Sequence, residues 1–139
     1  MDADSIYPVA HPYKPMILLV DDNEIQLSTR KSVLVRAGFN VSPVNSPGQG
    51  LSVITDPIDG RHLRLAITDH VMPGMMGSEF VRHLRETLPD LPVLVISGQP
   101  DIEQDYAGLN VGFLPKPCAP ELLIERVSEI LQTPLTRTA

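Results

Sequence analysis

The fold is indicated first by the stretch MILLVDD, residues 16–22. An apolar run that ends at two carboxylates is typical of a strand buried on both faces, as in a parallel sheet. The next segment, residues 24–37, spaces its apolar side chains as an amphipathic helix does, and Gly38 after it is a suitable helix stop. The stretch and its continuation therefore predict a βα unit.

The same alternation continues along the chain. Short apolar segments predict strands at residues 40–44, 65–68, 92–96 and 111–114, and helical patterns follow at 46–55, 78–88, 101–109 and 120–131. Ser46 and Pro47 fit the N-cap and the first position of the second helix. Five strands alternating with five helices imply right-handed crossovers and a parallel sheet covered on both faces.

Composition limits the class of protein. A length of 139 residues fits one domain, and the formal net charge of −6, without a basic block, argues against direct nucleic-acid binding. The single cysteine excludes an intramolecular disulfide and a cysteine-based zinc site. No apolar run approaches the roughly 18 residues of a membrane span, and the N-terminus does not resemble a signal peptide. We therefore expect a soluble cytoplasmic protein without a membrane partner.

Both ends of the chain lack an apolar period. Residues 1–15 contain three prolines and predict a flexible N-terminal tail or the remnant of a linker. Residues 133–139 are polar and predict a C-terminal tail. The predicted domain is residues 16–132.

Chemically useful side chains follow the ends of four predicted strands. Asp21 and Asp22 follow the first, Asp69 the third, Ser97 the fourth and Lys116 the fifth. Ligands of open α/β sheets bind at this edge. Clustered carboxylates favour a hard cation such as Mg²⁺, and a lysine and a hydroxyl can contact phosphoryl oxygens. An ionised aspartate can itself be the nucleophile and form an acyl phosphate.

Four motifs occur in order: LLVDDNE (18–24), ITDHVMPGMMG (67–77), VISG (95–98) and FLPKP (113–117). With them the chain resembles the response-regulator receiver domain of two-component signalling over nearly its whole length. In pattern it is most similar to receivers associated with hybrid histidine kinases. The resemblance implies a flavodoxin-like, doubly wound (βα)5 three-layer sandwich, an α/β fold with sheet order 2-1-3-4-5.

The resemblance also implies residue roles. Asp69 would be the phosphoacceptor, and Asp22 and Asp69 would ligate Mg²⁺ directly, with Asp21 acting largely through water. The backbone carbonyl of Val71 would be a further metal ligand. His70, directly after the phosphoacceptor, is expected to line the rim of the site.

The remaining roles concern the phosphoryl group and its readout. Ser97 would donate a hydrogen bond to the phosphoryl group, and Lys116 would pair with one of its oxygens, next to an expected cis bond to Pro117. Phe113 occupies the position of the family's switch aromatic. The alternative is that Phe113 is a static residue of the core. Only 19 positions separate Ser97 from Lys116, so the fourth helix must be short or irregular.

The predicted function is that of a phosphoacceptor. The chain would take a phosphoryl group from a histidine kinase or a phosphotransfer protein onto Asp69 and switch a protein-binding surface, either alone or as part of a larger protein. It would not be an enzyme beyond Mg²⁺-dependent self-phosphorylation and autodephosphorylation. One alternative is a receiver-like scaffold that is never phosphorylated. Another is an aspartyl-phosphate phosphatase, which needs a carboxylate where this chain has Val71.

Overall fold

The structure is a computed structural model that describes residues 16–138, and the side chains of residues 16–131. The predicted tail at residues 1–15 lies outside the described residues. The strands are β1 (Met16–Val20), β2 (Asn40–Val44), β3 (Leu63–Asp69), β4 (Val93–Ser97) and β5 (Gly112–Pro115). The helices are α1 (Glu24–Arg36), α2 (Pro47–Thr55), α3 (Asp59–His62), α4 (Gly77–Thr87) and α5 (Pro120–Thr138), with a 3-10 turn at Glu103–Tyr106.

The five strands form one parallel sheet in the order β2-β1-β3-β4-β5. The predicted fold class and strand order are therefore confirmed. Alternate residues of β1 face opposite layers, because successive side chains of a strand point to opposite faces. Ile17 packs in the cluster of Leu34 and Val127, on the side of α1 and α5, whereas Leu18 packs with Phe80 on the other side. Two apolar cores thus hold the sheet between two helical layers.

Local sequence explains where the first two helices begin and end. The Asn23 side chain accepts a hydrogen bond from the backbone of Gln26 at 2.9 Å and caps α1. Gly38, with a φ of +98°, follows the end of α1, where the left-handed conformation favours glycine. Ser46 caps α2 by accepting from the backbone of Gln49 at 3.1 Å, as its sequence position predicts.

Three elements differ from the sequence prediction. The one-turn helix α3 was not predicted; it follows Asp56, whose carboxylate accepts from the backbone N–H groups of Ile58 and Asp59, each at 2.9 Å. The predicted fourth helix is the 3-10 turn, which agrees with the shortness of that segment. The backbone of α5 continues to Thr138, past the predicted helix end at residue 131 and into the predicted tail at 133–139.

Within residues 16–138, we find no helix with the length and apolar character that crossing a membrane requires.

Candidate functional site

Three carboxylates meet at the carboxyl ends of β1 and β3. Val20 pairs with Thr68 in the register of these strands, so Asp21 and Asp69 follow them side by side. One oxygen from each of Asp21, Asp22 and Asp69 lies within 4.8 Å of the others. The structure therefore brings together the three acidic residues predicted from the sequence.

The turn from β1 into α1 gives the two neighbouring aspartates different surroundings. The backbone N–H of Asn23 donates to Asp21 Oδ1 at 2.9 Å, which directs the Asp21 side chain inward. Asp21 is fully buried and Asp69 is 3% exposed, whereas Asp22 is exposed. Asp22 thus stands at the mouth of the site and the other two form its floor.

Lys116, the residue directly after β5, contacts Asp69. Its Nζ lies 3.2 Å from Asp69 Oδ1 and 3.5 Å from Gln26 Oε1. The backbone N–H of Lys116 donates to the Ser97 carbonyl at 2.9 Å, and the peptide bond from Lys116 to Pro117 is cis, as predicted. Lys116 is therefore oriented towards the predicted phosphoacceptor.

Arg30 was not predicted as a site residue. Its Nη1 lies 2.6 Å from Asp21 Oδ2 and 3.4 Å from Asp69 Oδ1, and its side chain is 12% exposed. A signal was present in the sequence, because Arg30 lies three positions after Leu27 and four before Leu34, the two buried residues of α1. A charged residue at this helical spacing requires a partner of opposite charge.

Burial is the largest of several influences that together raise the pKa of Asp21 from 3.8 to about 7. The adjacent Asp69 carboxylate also raises this pKa, whereas the Asn23 N–H and the Arg30 charge oppose the increase. The site therefore concentrates more negative charge than its surroundings readily stabilise. Oxygen ligands with excess negative charge fit a hard divalent cation such as Mg²⁺.

Ser97 and Phe113 lie on the side of the site formed by β4 and β5. The Ser97 hydroxyl oxygen accepts a hydrogen bond from the backbone of Gln99 at 2.9 Å. Phe113 packs edge-on against Tyr106, with ring centroids 5.5 Å apart and an interplanar angle of 77°. The two predicted switch residues thus lie on one wall of the site, which is formed by the ends of β4 and β5 and by the 3-10 turn.

The prediction that His70 lines the rim of the site is wrong, since His70 is 3% exposed. Its Nδ1 lies 2.9 Å from the Tyr106 hydroxyl, and its Nε2 lies 3.6 Å from Asp105 Oδ2. Both partners belong to the 3-10 turn, and sequence spacing alone gives no sign of them. His70 therefore connects the end of β3 to that turn.

The loop after Asp69 folds back onto it. The backbone N–H of Gly77 donates to the His70 carbonyl at 2.8 Å. A side chain at Gly77 would collide with the Asp69 carbonyl and with the Tyr106 hydroxyl. Val71 lies in this loop and is 51% exposed. Its backbone carbonyl remains a predicted metal ligand.

Residues 17–128 match the family model of the response regulator receiver domain. The chain is 32% identical over 122 residues to ARR13 of Arabidopsis thaliana, which is named as a two-component response regulator, covering 85% of this chain and 21% of that protein. It is 34% identical over 119 residues to the response regulator MprA of Mycobacterium sp. (strain KMS), covering 84% of this chain and 50% of MprA. The chain thus spans half or less of these relatives.

The fold also resembles that of a solved receiver domain protein. The CheY-like response regulator receiver domain protein of Methanospirillum hungatei superposes with a TM-score of 0.80 at 24% identity, covering 89% of this chain and 98% of that one. This likeness concerns the fold alone. The family match over residues 17–128 shows that the chain belongs to the response regulator receiver domains of two-component systems.

Proposed function

We propose that Asp69 accepts a phosphoryl group from a phosphohistidine of a histidine kinase or a phosphotransfer protein. A carboxylate oxygen of Asp69 forms a bond to phosphorus while the phosphorus–nitrogen bond of the phosphohistidine breaks. The imidazole nitrogen keeps the bonding electron pair. The product is an acyl phosphate on Asp69.

One observation carries this proposal: Asp69 lies together with two further aspartates and a lysine in one pocket. Asp22 and Asp69 would hold Mg²⁺ directly, Asp21 largely through water, and the Val71 carbonyl would complete the protein ligands. When bound, Mg²⁺ supplies positive charge that offsets the charge of the phosphoryl oxygens. The Asp69 carboxylate is itself the nucleophile and needs no general base.

Lys116 and Ser97 would hold the transferred group. Lys116 Nζ already lies 3.2 Å from Asp69 Oδ1, within reach of an oxygen on a phosphoryl group attached there. The Ser97 hydroxyl accepts from Gln99 and so keeps its own hydrogen for donation. Movement of Ser97 towards the phosphoryl group would lengthen that contact and disturb the loop after β4.

The output in this proposal is a change of protein-binding surface near Ser97 and Phe113. A shallow pocket in this wall is lined by both residues and by Ile102 of the segment before the 3-10 turn. The chain would act in the cytoplasm, alone or within a larger protein such as a hybrid kinase. It would catalyse no reaction beyond its own phosphorylation and dephosphorylation.

Intact-protein mass spectrometry after incubation with acetyl phosphate and Mg²⁺ tests the proposal. We expect one added phosphoryl group, which EDTA prevents and which is absent from Asp69→Asn. Asp90→Asn, which changes an exposed aspartate between α4 and β4, is the matched control and should be phosphorylated normally.

Two outcomes would contradict the proposal. If neither acetyl phosphate nor phosphoramidate modifies the protein and beryllofluoride does not bind, the scaffold alternative would be favoured. Sustained turnover of an external phosphate ester would instead favour a phosphatase.

A further inference from the structure

Arg30 is the charged residue of this pocket that the proposed phosphoryl transfer does not use. It lies in the middle of α1, and its neighbours in the buried stripe, Leu27 and Leu34, anchor the helix in the core. Its guanidinium reaches the carboxyl ends of β1 and β3, and the whole side chain is only 12% exposed. Arg30 therefore belongs to the pocket itself and not to the solvated surface of α1.

A single nitrogen atom makes both acidic contacts. Arg30 Nη1 lies 2.6 Å from Asp21 Oδ2 and 3.4 Å from Asp69 Oδ1. The first distance is that of a strong charge-assisted hydrogen bond. The nitrogen thus bridges two of the three carboxylates whose oxygens converge within 4.8 Å.

A guanidinium differs from other groups that could balance these charges. It stays protonated at any physiological pH, so its charge cannot be lost by titration. It is also tethered to a fixed helix, so its local concentration does not depend on the solution. In the metal-free pocket, Arg30 supplies the positive charge that a divalent cation would otherwise supply.

A cation entering the pocket meets this charge. Either the guanidinium leaves Asp21 and Asp69, and its short contact with Asp21 is lost, or it stays and repels the incoming ion at close range. Both alternatives weaken binding of the ion. Lys116 also contacts Asp69 Oδ1, at 3.2 Å, so the longer Arg30 contact with that oxygen is the more readily given up.

We propose that Arg30 is a tethered cation that competes with Mg²⁺ for Asp21 and Asp69, so that Mg²⁺ binds in exchange for the guanidinium. The inference rests on the proposed Mg²⁺-dependent function and deepens it. Arg30 is in this sense a positioning residue. It sets the Mg²⁺ concentration at which Asp69 becomes able to accept a phosphoryl group. A purely structural Arg30 would instead support the pocket, and its removal would weaken metal binding.

Isothermal titration of Mg²⁺ into the full chain, at constant ionic strength, measures the effect without phosphorylation. Arg30→Met keeps the length of the aliphatic side chain and removes the charge. Its dissociation constant for Mg²⁺ should fall by about tenfold, as expected for removing a unit charge a few ångströms from a divalent ion. Arg30→Gln removes the charge but can still donate to Asp21, so it should give the same direction if the Met variant does not fold.

Two controls separate the local charge from other effects. Arg30→Lys keeps a positive charge at this position and should bind Mg²⁺ more like the parent protein than like Arg30→Met. Lys31→Met removes a charge from the adjacent exposed position of α1 and should change the dissociation constant by less than about twofold, because solvent and salt screen it.

The outcomes distinguish this inference from the proposed function. Equal dissociation constants for the parent protein and both uncharged variants, or weaker binding by those variants, would overturn the role of Arg30 and leave the proposed function standing. Absence of Mg²⁺ binding by every protein in the series would overturn both.

Discussion

Asp21 and Arg30 show how a buried charge can persist in this domain. Transfer of a carboxylate from water into a protein interior is strongly unfavourable unless the charge is paired and hydrogen-bonded. Asp21 is fully buried, but it receives the Asn23 N–H at 2.9 Å and the Arg30 guanidinium at 2.6 Å. Even so, its pKa lies at about 7, so these two partners only partly offset burial and the nearby Asp69.

We therefore predict that the metal-free protein loses stability as the pH rises from about 4 through 7. The pKa of Asp21 is about 7 in the folded chain, against 3.8 for an ordinary aspartate, so the folded state binds the extra proton between these values. The stabilising contribution is complete below about pH 4 and is lost as the pH rises through 7, with a slope of at most about 1.4 kcal/mol per pH unit. Urea denaturation in EDTA at a series of pH values measures this slope. Asp21→Asn should flatten it, and an unchanged slope in that variant would contradict the assignment.

At Gly77 a single added carbon atom would change the local structure. A Cβ there would lie too close to the Asp69 carbonyl oxygen and to the Tyr106 hydroxyl, and the backbone oxygen cannot move without moving the site. We expect Gly77→Ala to lower the free energy of unfolding by about 1–3 kcal/mol, as overpacking of a filled core does. Gly98→Ala is the control, because its Cβ would meet the Lys116 Cβ at an ordinary 3.5 Å. Equal denaturant midpoints for the two variants would show that the loop can relax around Gly77.

The segment between β4 and β5 is ordered without a full helix. Arg85 on α4 donates to the carbonyls of Leu109 at 2.8 Å and Asn110 at 3.0 Å, and Arg82 donates to the Asp105 carbonyl at 3.1 Å. These contacts satisfy carbonyls that a longer helix would pair internally. Tyr106 then connects the 3-10 turn to His70 at the end of β3.

Tyr106→Phe should loosen this segment without unfolding the domain. The variant keeps the aromatic ring that packs on Phe113 but removes the hydroxyl that lies 2.9 Å from His70 Nδ1. We expect a loss of about 1 kcal/mol of stability, as for a hydrogen bond whose partner stays buried. Amide hydrogen exchange should become faster in residues 99–110 and stay unchanged in β1. Unchanged exchange in the turn would show that ring packing alone holds it.

Periodicity and strand ends predicted most elements, and particular residues explain the exceptions. Buried parallel strands such as 16–20 show a continuous apolar run, which leaves few alternatives for their placement. The one-turn helix α3 depends on the Asp56 carboxylate turning the backbone, which no apolar period reports. Asp69, Asp22 and Lys116 were predictable because each follows a strand. The helical spacing of Arg30 indicates that it needs an acidic partner. Which residues Arg30 and His70 contact was not predictable, because these contacts depend on side-chain directions between elements that are far apart in the sequence.

The strand order gathers the site from distant parts of the chain. β1 lies between β2 and β3, so the turn after β1 stands next to the end of β3, and β4 and β5 continue the same edge. This edge collects Asp21, Asp69 and Lys116 in a chain with a formal net charge of −6. A cation that binds only the folded arrangement must therefore stabilise the whole domain, because the unfolded chain does not hold these groups together.

We predict that Mg²⁺ raises the stability of the complete chain through this site. At a concentration ten times its dissociation constant, the ion should add about 1.4 kcal/mol to the free energy of unfolding. Thermal melts in Mg²⁺ and in NaCl of equal ionic strength separate specific binding from charge screening. Asp22→Asn removes an exposed ligand without disturbing the buried pair, so it should fold normally and lose most of the Mg²⁺ effect. Asp90→Asn, which alters the same charge away from the site, should keep it. If Asp22→Asn responded to Mg²⁺ as fully as Asp90→Asn, the stabilising ion would have to bind elsewhere, and the three-carboxylate pocket would not be the metal site.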